Sequence, residues 1–134
     1  MRETSPTRVL VIDDEPVIRE SLVEFLEDFG LEAASAGSGE EALSVLTENP
    51  CDVAIVDQRL PGISSDNLIL RIHEILPAIR FLIHTGAVDY QLSTELRQIG
   101  LRDEHIFLKP QLDLTSFVEA IRNDSEIDRV EYVQ

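Results

Sequence analysis

The chain of 134 residues carries 26 acidic against 11 basic side chains, a net charge of −15, and is 43% hydrophobic. That length suits one domain with a hydrophobic core and is short for two. The charge argues against direct nucleic-acid binding, which needs clustered Lys and Arg. No apolar run reaches the roughly 18 to 20 residues that cross a bilayer, so no membrane association is expected. The opening MRETSPT lacks the apolar centre of a secretion signal. The single cysteine, Cys51, excludes an intramolecular disulfide, reads as a small buried hydrophobe, and fits a reducing cytoplasm.

The first apolar run, Val9 to Ile12, predicts a strand buried on both faces. It ends in three acids, Asp13, Asp14 and Glu15, followed by Pro16. Ile18, Leu22, Phe25 and Phe29 then step by four, three and four, one stripe of a helix that Gly30 closes. LEAASA, from Leu31, is a weaker strand expected at a sheet edge. Ser38 and Glu41 have the spacing of a capping box ahead of Ala42, Leu43, Val45 and Leu46. The third strand, in CDVAIVD, runs into Asp57. Leu68, Ile72, Ile75 and Leu76 mark a third helix before Pro77, and IRFLIHT gives a fourth strand ending at Thr85. Leu92, Leu96 and Ile99 mark a fourth helix closed by Gly100. HIFLKP is the fifth strand and holds Lys109, the only lysine beside ten arginines. Leu114, Phe117, Val118 and Ile121 outline the fifth helix. Residues 1–7 are expected to be flexible, 8–123 to form the domain, and 124–134 to be a tail or the frayed end of the last helix.

Strict alternation of strand and helix implies an α/β fold: one doubly wound, five-stranded parallel sheet with five helices on its two faces. Ligands of such sheets bind beyond the carboxyl ends of the strands. Those ends carry Asp13 and Asp14, Asp57, Thr85 and Lys109, which predicts that five polar groups converge at one edge. Three carboxylates form an all-oxygen site suited to a hard divalent cation, Mg2+. Asp57 is placed to act as a nucleophile towards phosphorus, and Lys109 and Thr85 to hold phosphoryl oxygens. Each residue also has a plainer reading: helix N-terminal charge for the acid pair, a turn residue for Asp57, a strand-end polar group for Thr85 and Lys109. His84 reads as a satisfied core histidine. His73 and His105 read as surface residues whose spacing suggests no metal site.

IDDEP, VDQRLPG, HTG and LKP, in that order and with those flanking strands, resemble the receiver domain of two-component response regulators, from about Arg8 to Asn123. The resemblance implies a flavodoxin-like fold and an Asp57 that accepts a phosphoryl group from a phosphohistidine on a sensor histidine kinase or phosphotransfer protein. It implies Mg2+ held by Asp14, Asp57 and the Arg59 carbonyl, with Asp13 acting through water, and a cis peptide between Lys109 and Pro110. It further implies a switch through Thr85 and Lys109 that is read by an output domain, a downstream partner, or a second copy through the face from the fourth to the fifth helix. Three departures stand out. Ile106 replaces the aromatic usual three positions before the lysine, with Phe107 expected on the other face. The segment before the last strand, in IGLRDEHIFLKP, is about two residues longer than is typical of the family. Arg59 and Ala87 occupy the positions that tune phosphate hydrolysis, and Ala87 offers no group to orient water, so a long-lived phosphoryl group is expected. The alternatives are a Mg2+-dependent phosphohydrolase working through an aspartyl-phosphate, and a degenerate receiver used only for docking.

Overall fold

The computed structural model describes residues 6–111 and 113–122. The expected flexible segment 1–7, apart from residues 6 and 7, and the expected tail at 124–134 lie outside the described residues. Five parallel strands, β1 (Arg8–Ile12), β2 (Glu32–Ala36), β3 (Val53–Asp57), β4 (Arg80–Thr85) and β5 (Ile106–Leu108), form one sheet in the order β2-β1-β3-β4-β5. The helices α1 (Pro16–Asp28), α2 (Gly39–Glu48), α3 (Ser65–Ile75) and α4 (Thr94–Gln98) connect them. A fifth helix, α5, occupies residues 115–122. β3 is buried along its whole length, and β1 and β4 from their second residue on. β2 is the thinly buried edge strand its alanines predict.

Alternation along the strands divides the core in two. Leu10, Ile12, Ala54, Val56, Phe81 and Ile83 face Ala42, Leu46, Leu68, Ile69, Ile72 and Leu96, from α2, α3 and α4. On the other face Val9, Val11, Ile55 and Leu82 meet Leu22 and Leu26 of α1 and Phe117, Val118 and Ile121 of α5. Each of these large side chains stabilises the fold by about 1.5–3 kcal/mol relative to exposure. Ile106 joins the first cluster and Phe107 the second, where its ring stacks on Phe117 at 4.6 Å. β5 therefore sends its one aromatic side chain to the face of α1 and α5.

Several local expectations shift by a residue or a turn. The buried stripe of α1 is Leu22 and Leu26; Phe29 becomes the C-cap and is exposed. α3 buries Ile69 and leaves Ile75 in solvent. α4 is only five residues long, so Leu92 is buried ahead of the N-cap Ser93. Gly30 and Gly100 end their helices at φ +85° and +111°. In both, the following amide bonds five residues back, Leu31 N to Leu26 O and Leu101 N to Leu96 O, each at 3.1 Å, the left-handed stop that glycine permits without a Cβ clash. Ser38 caps α2 by accepting from Glu41 N at 3.1 Å, but the Glu41 carboxylate reaches back to Gly37 N at 2.7 Å rather than to the cap residue. The long segment before β5 folds as a 3-10 turn, Asp103–His105. Cys51 is half-buried against the first cluster, not enclosed.

His84 corrects its prediction. It is 4% exposed and rests edge-on against Phe117 at 5.2 Å, yet neither ring nitrogen has a hydrogen-bond partner among the described residues. Burial, with the nearby Lys109 charge, lowers its pKa to about 4 against the opposing pull of Asp13, so the ring is neutral near pH 7.

Candidate functional site

The parallel register brings the ends of β1, β3 and β4 level: Ile12 lies beside Val56, and Asp57 beside His84. Asp13 follows β1 directly and continues its pairing, Asp13 N donating to Ala36 O at 3.1 Å. Its carbonyl accepts from Arg19 Nη1 at 2.7 Å, and its Oδ1 from Glu15 N at 2.9 Å. Asp57 ends β3 in a matching turn, Oδ1 accepting from Arg59 N at 3.1 Å. Both carboxylates are thus fixed by the amide two residues on, and both are buried, at 1% and 4% exposure, whereas Asp14 is exposed.

Oxygens of Asp13, Asp14 and Asp57 lie within 4.8 Å of one another. Two such charges repel by about 3 kcal/mol at an effective dielectric near 20. Lys109 answers part of this, its Nζ 3.3 Å from Asp13 Oδ2, 3.3 Å from Asp57 Oδ1 and 3.6 Å from Glu15 Oε1. Burial pushes the Lys109 pKa down, but the Asp13 and Asp57 carboxylates outweigh it and hold the ammonium above its usual range. Burial is also the main force on Asp57, raising its pKa to about 6; the Arg59 amide and Lys109 oppose the rise and Asp13 adds to it. Asp13 Oδ2 has no hydrogen-bond partner among the described residues, only the ammonium. Three carboxylates against one ammonium leave two negative charges over, in an all-oxygen setting that a hard divalent cation fits.

Asp14, Asp57, Arg59, Ala87 and Lys109 line an open cleft of about 460 Å³. Thr85, 1% exposed, is not among the lining residues. Its backbone carbonyl accepts from Lys109 N at 2.7 Å, which seats the end of β5 on β4, and the Lys109–Pro110 peptide is cis. The Thr85 hydroxyl donates to Gln58 Oε1 at 3.2 Å and accepts from Ala87 N at 3.0 Å. The structure therefore brings carboxylate oxygens of Asp13, Asp14 and Asp57 within 4.8 Å of one another, with Lys109 meeting Asp13 and Asp57 and with Arg59 and Ala87 on the rim, and leaves the Thr85 hydroxyl turned to a neighbour.

The chain matches the response regulator receiver domain over residues 9–122. It belongs to that family. Transcriptional activator protein ExaE of Pseudomonas putida is 42% identical over 94 residues, 69% of this chain and 44% of ExaE. Sporulation initiation phosphotransferase F of Bacillus subtilis is 26% identical over 86% of this chain and 90% of its own. The structure of the response regulator TrrA from Thermotoga maritima, in complex with Mg2+-BeF, superposes with a TM-score of 0.74 at 28% identity, covering 87% of this chain and 97% of TrrA. This receiver spans less than half the length of the first relatives it matches. No helix among the described residues is long and apolar enough to cross a membrane.

Three residues of the receiver's site were not singled out from sequence. Glu15 was read only as the last of an acid run, yet it reaches Lys109. Arg19 lies one turn into α1, where nothing in the sequence marks it as the anchor of the Asp13 carbonyl. Gln58 follows Asp57 at the end of β3, and nothing in the sequence marks its side chain as the partner of the Thr85 hydroxyl.

Proposed function

We propose that this receiver is a phosphorylation switch, with Asp57 accepting a phosphoryl group from a phosphohistidine on a sensor histidine kinase or phosphotransfer protein. The observation that carries the reading is Lys109 Nζ at 3.3 Å from both Asp57 and Asp13, inside a triad of carboxylates with uncompensated negative charge. Asp13, Asp14, Asp57 and the Arg59 carbonyl would hold Mg2+, the buried Asp13 Oδ2, which only the Lys109 ammonium meets among the described residues, favouring a further cation here. Bound there, the ion supplies positive charge to carboxylates and phosphoryl oxygens alike.

An ionised Asp57 oxygen attacks phosphorus; the P–N bond to the donor imidazole breaks and its electron pair stays on the ring nitrogen. Lys109 needs little movement to bond a phosphoryl oxygen, since it already touches the nucleophile. Burial of Asp57 favours the protonated acid below about pH 6, so transfer weakens there when magnesium is scarce. The new group, carrying about −1.5 to −2 charge, draws the Thr85 hydroxyl, and movement of the following loop alters the face of α4, β5 and α5. An output domain, a partner protein or a second copy of this chain would read that face, where Val88 and Leu108 already stand exposed. Ala87 cannot orient a hydrolytic water, which favours a long-lived adduct tuned by Arg59 on the rim.

The test is intact-mass analysis after incubation with Mg2+ and a small phosphodonor such as acetyl phosphate. One phosphoryl adduct, absent without Mg2+ and absent in Asp57→Asn, is expected. The same adduct in Asp57→Asn would refute the assignment.

A further inference from the structure

A hydroxyl has one hydrogen to give. In this structure the Thr85 hydroxyl spends it on Gln58 Oε1, 3.2 Å away, while its oxygen accepts from Ala87 N at 3.0 Å. Gln58 is not free to drift from this contact. Its amide donates to His84 O at 2.9 Å, extending the β3–β4 ladder, and its carbonyl accepts from Ser65 Oγ at 2.9 Å, at the first residue of α3. With the backbone tied to the sheet on one side and to a helix on the other, the side chain is presented to β4. Thr85 is 1% exposed, so its hydroxyl has little water with which to replace a lost partner.

We propose that Gln58, which itself lines the Asp57 cleft, is a latch: its side-chain amide engages the one hydrogen of the Thr85 hydroxyl, and phosphorylation must break this bond before Thr85 can turn to the phosphoryl group. This rests on the phosphoryl-switch reading and adds to it a residue that sets the resting balance. Gln58 is a positioning residue, acting through Thr85. The apparent affinity for a phosphoryl group is the intrinsic affinity reduced by the fraction of molecules with the hydroxyl free. Losing one neutral hydrogen bond of ordinary strength should raise that affinity roughly fivefold.

The probe is trifluoroberyllate with Mg2+, titrated onto the whole chain and followed by the 19F resonance of the bound form. Gln58→Met keeps the length of the side chain and removes the accepting oxygen. It should bind the probe roughly fivefold more tightly than the unaltered protein. Thr85→Ala, which has no hydroxyl to release, should bind more weakly, and adding Gln58→Met to it should change nothing. A general loosening of the loop would instead move affinity in both backgrounds. Equal or weaker binding by Gln58→Met, or a gain that persists with Thr85→Ala, overturns the latch. No uptake of the probe by the unaltered protein overturns the phosphoryl-switch reading, and the latch with it.

Discussion

The two ends of the sheet differ less in the sign of their charge than in how that charge is held. At the amino end, where helices finish, His73, Arg80, Arg102 and His105 surround a pocket of about 260 Å³. His73 and Arg97 occupy the last turns of α3 and α4, and Arg122 donates to the Phe29 carbonyl that caps α1, at 2.9 Å. At the carboxyl end, where helices begin, Glu40 and Glu41, Asp66 and Glu95 sit in first turns. The bases in the last turns of α3 and α4 and the acids in the first turns of α2, α3 and α4 complement the helix dipoles, whereas α1 and α2 end without a base of their own. The carboxyl end then goes further. Asp13 and Asp57 are buried, Asp13 Oδ2 lacks a hydrogen bond among the described residues, and one lysine must answer several carboxylates. Charge beyond what the dipoles require, held out of water, separates a site from a well-capped fold.

The sharpest way to break the contrast is to remove Lys109. Lys109→Ala leaves buried carboxylates facing one another, and stripping one partner from a buried pair costs about 3–5 kcal/mol. Because the side chain keeps some contact with water, a loss of roughly 2–4 kcal/mol is expected by urea unfolding without Mg2+, partly restored by added Mg2+. Acyl-phosphate labelling should fall about a hundredfold or more, as for loss of an anion-stabilising donor. Labelling at the unaltered rate would place the phosphoryl group elsewhere.

A second pair of variants separates two buried groups with opposite pH behaviour. The folded pKa of Asp57 is raised, from 3.8 to about 6; the native state holds the extra proton, so its contribution to stability falls as pH rises through 4 to 6. The folded pKa of His84 is lowered, from 6.5 to about 4; the unfolded chain binds the extra proton, so its contribution rises with pH over nearly the same window. The two should largely cancel in the metal-free protein. Compared with it, Asp57→Asn should gain stability with rising pH and His84→Phe should lose it, each by about 2–3 kcal/mol between pH 4 and 6.5. Asp57→Asn should also be about 1–2 kcal/mol more stable at pH 7.5 without Mg2+, having shed a buried charge. Parallel pH profiles for all three proteins would show that neither group is perturbed by its surroundings.

The sheet, its order of burial and the edge position of β2 were legible because uninterrupted apolar runs and Gly-terminated helices leave a strong local record. The α1 and α3 stripes slipped because apolar residues outnumber buried places there: Phe29 and Ile75 fit the period as well as Leu26 and Ile69 do, and only tertiary contact chooses. The gathering of Asp13, Asp14, Asp57 and Lys109 was legible because each directly follows or ends a strand, and parallel strands bring like ends together. Thr85 met the same rule, but which way a hydroxyl turns depends on its partner across the sheet, and Gln58 carries no mark of that in one sequence. His84 was misread for a related reason: the sequence shows that β4 is buried, not that no donor or acceptor faces the imidazole there.

The smallest expected effect lies at the other end of the molecule. Arg102 Nη2 meets Glu104 Oε2 at 3.2 Å and Arg97 Nη2 meets Asp103 Oδ1 at 2.8 Å, yet in each pair both side chains are largely in water. Their attraction is screened and holding two long side chains together costs entropy, so Arg102→Ala and Glu104→Ala should each change stability by less than about 0.5 kcal/mol. Neither should alter Mg2+ uptake or labelling of Asp57, since both lie beyond the opposite edge of the sheet from the acids. Raising ionic strength should leave these variants and the unaltered chain equally stable, while the Lys109 variant, whose carboxylates repel one another at close range, gains on them. If Arg102→Ala weakened Mg2+ binding several-fold, charge at the two ends would be coupled through the sheet, and the contrast between an end whose charges are solvated and paired and a strained acidic one would fail.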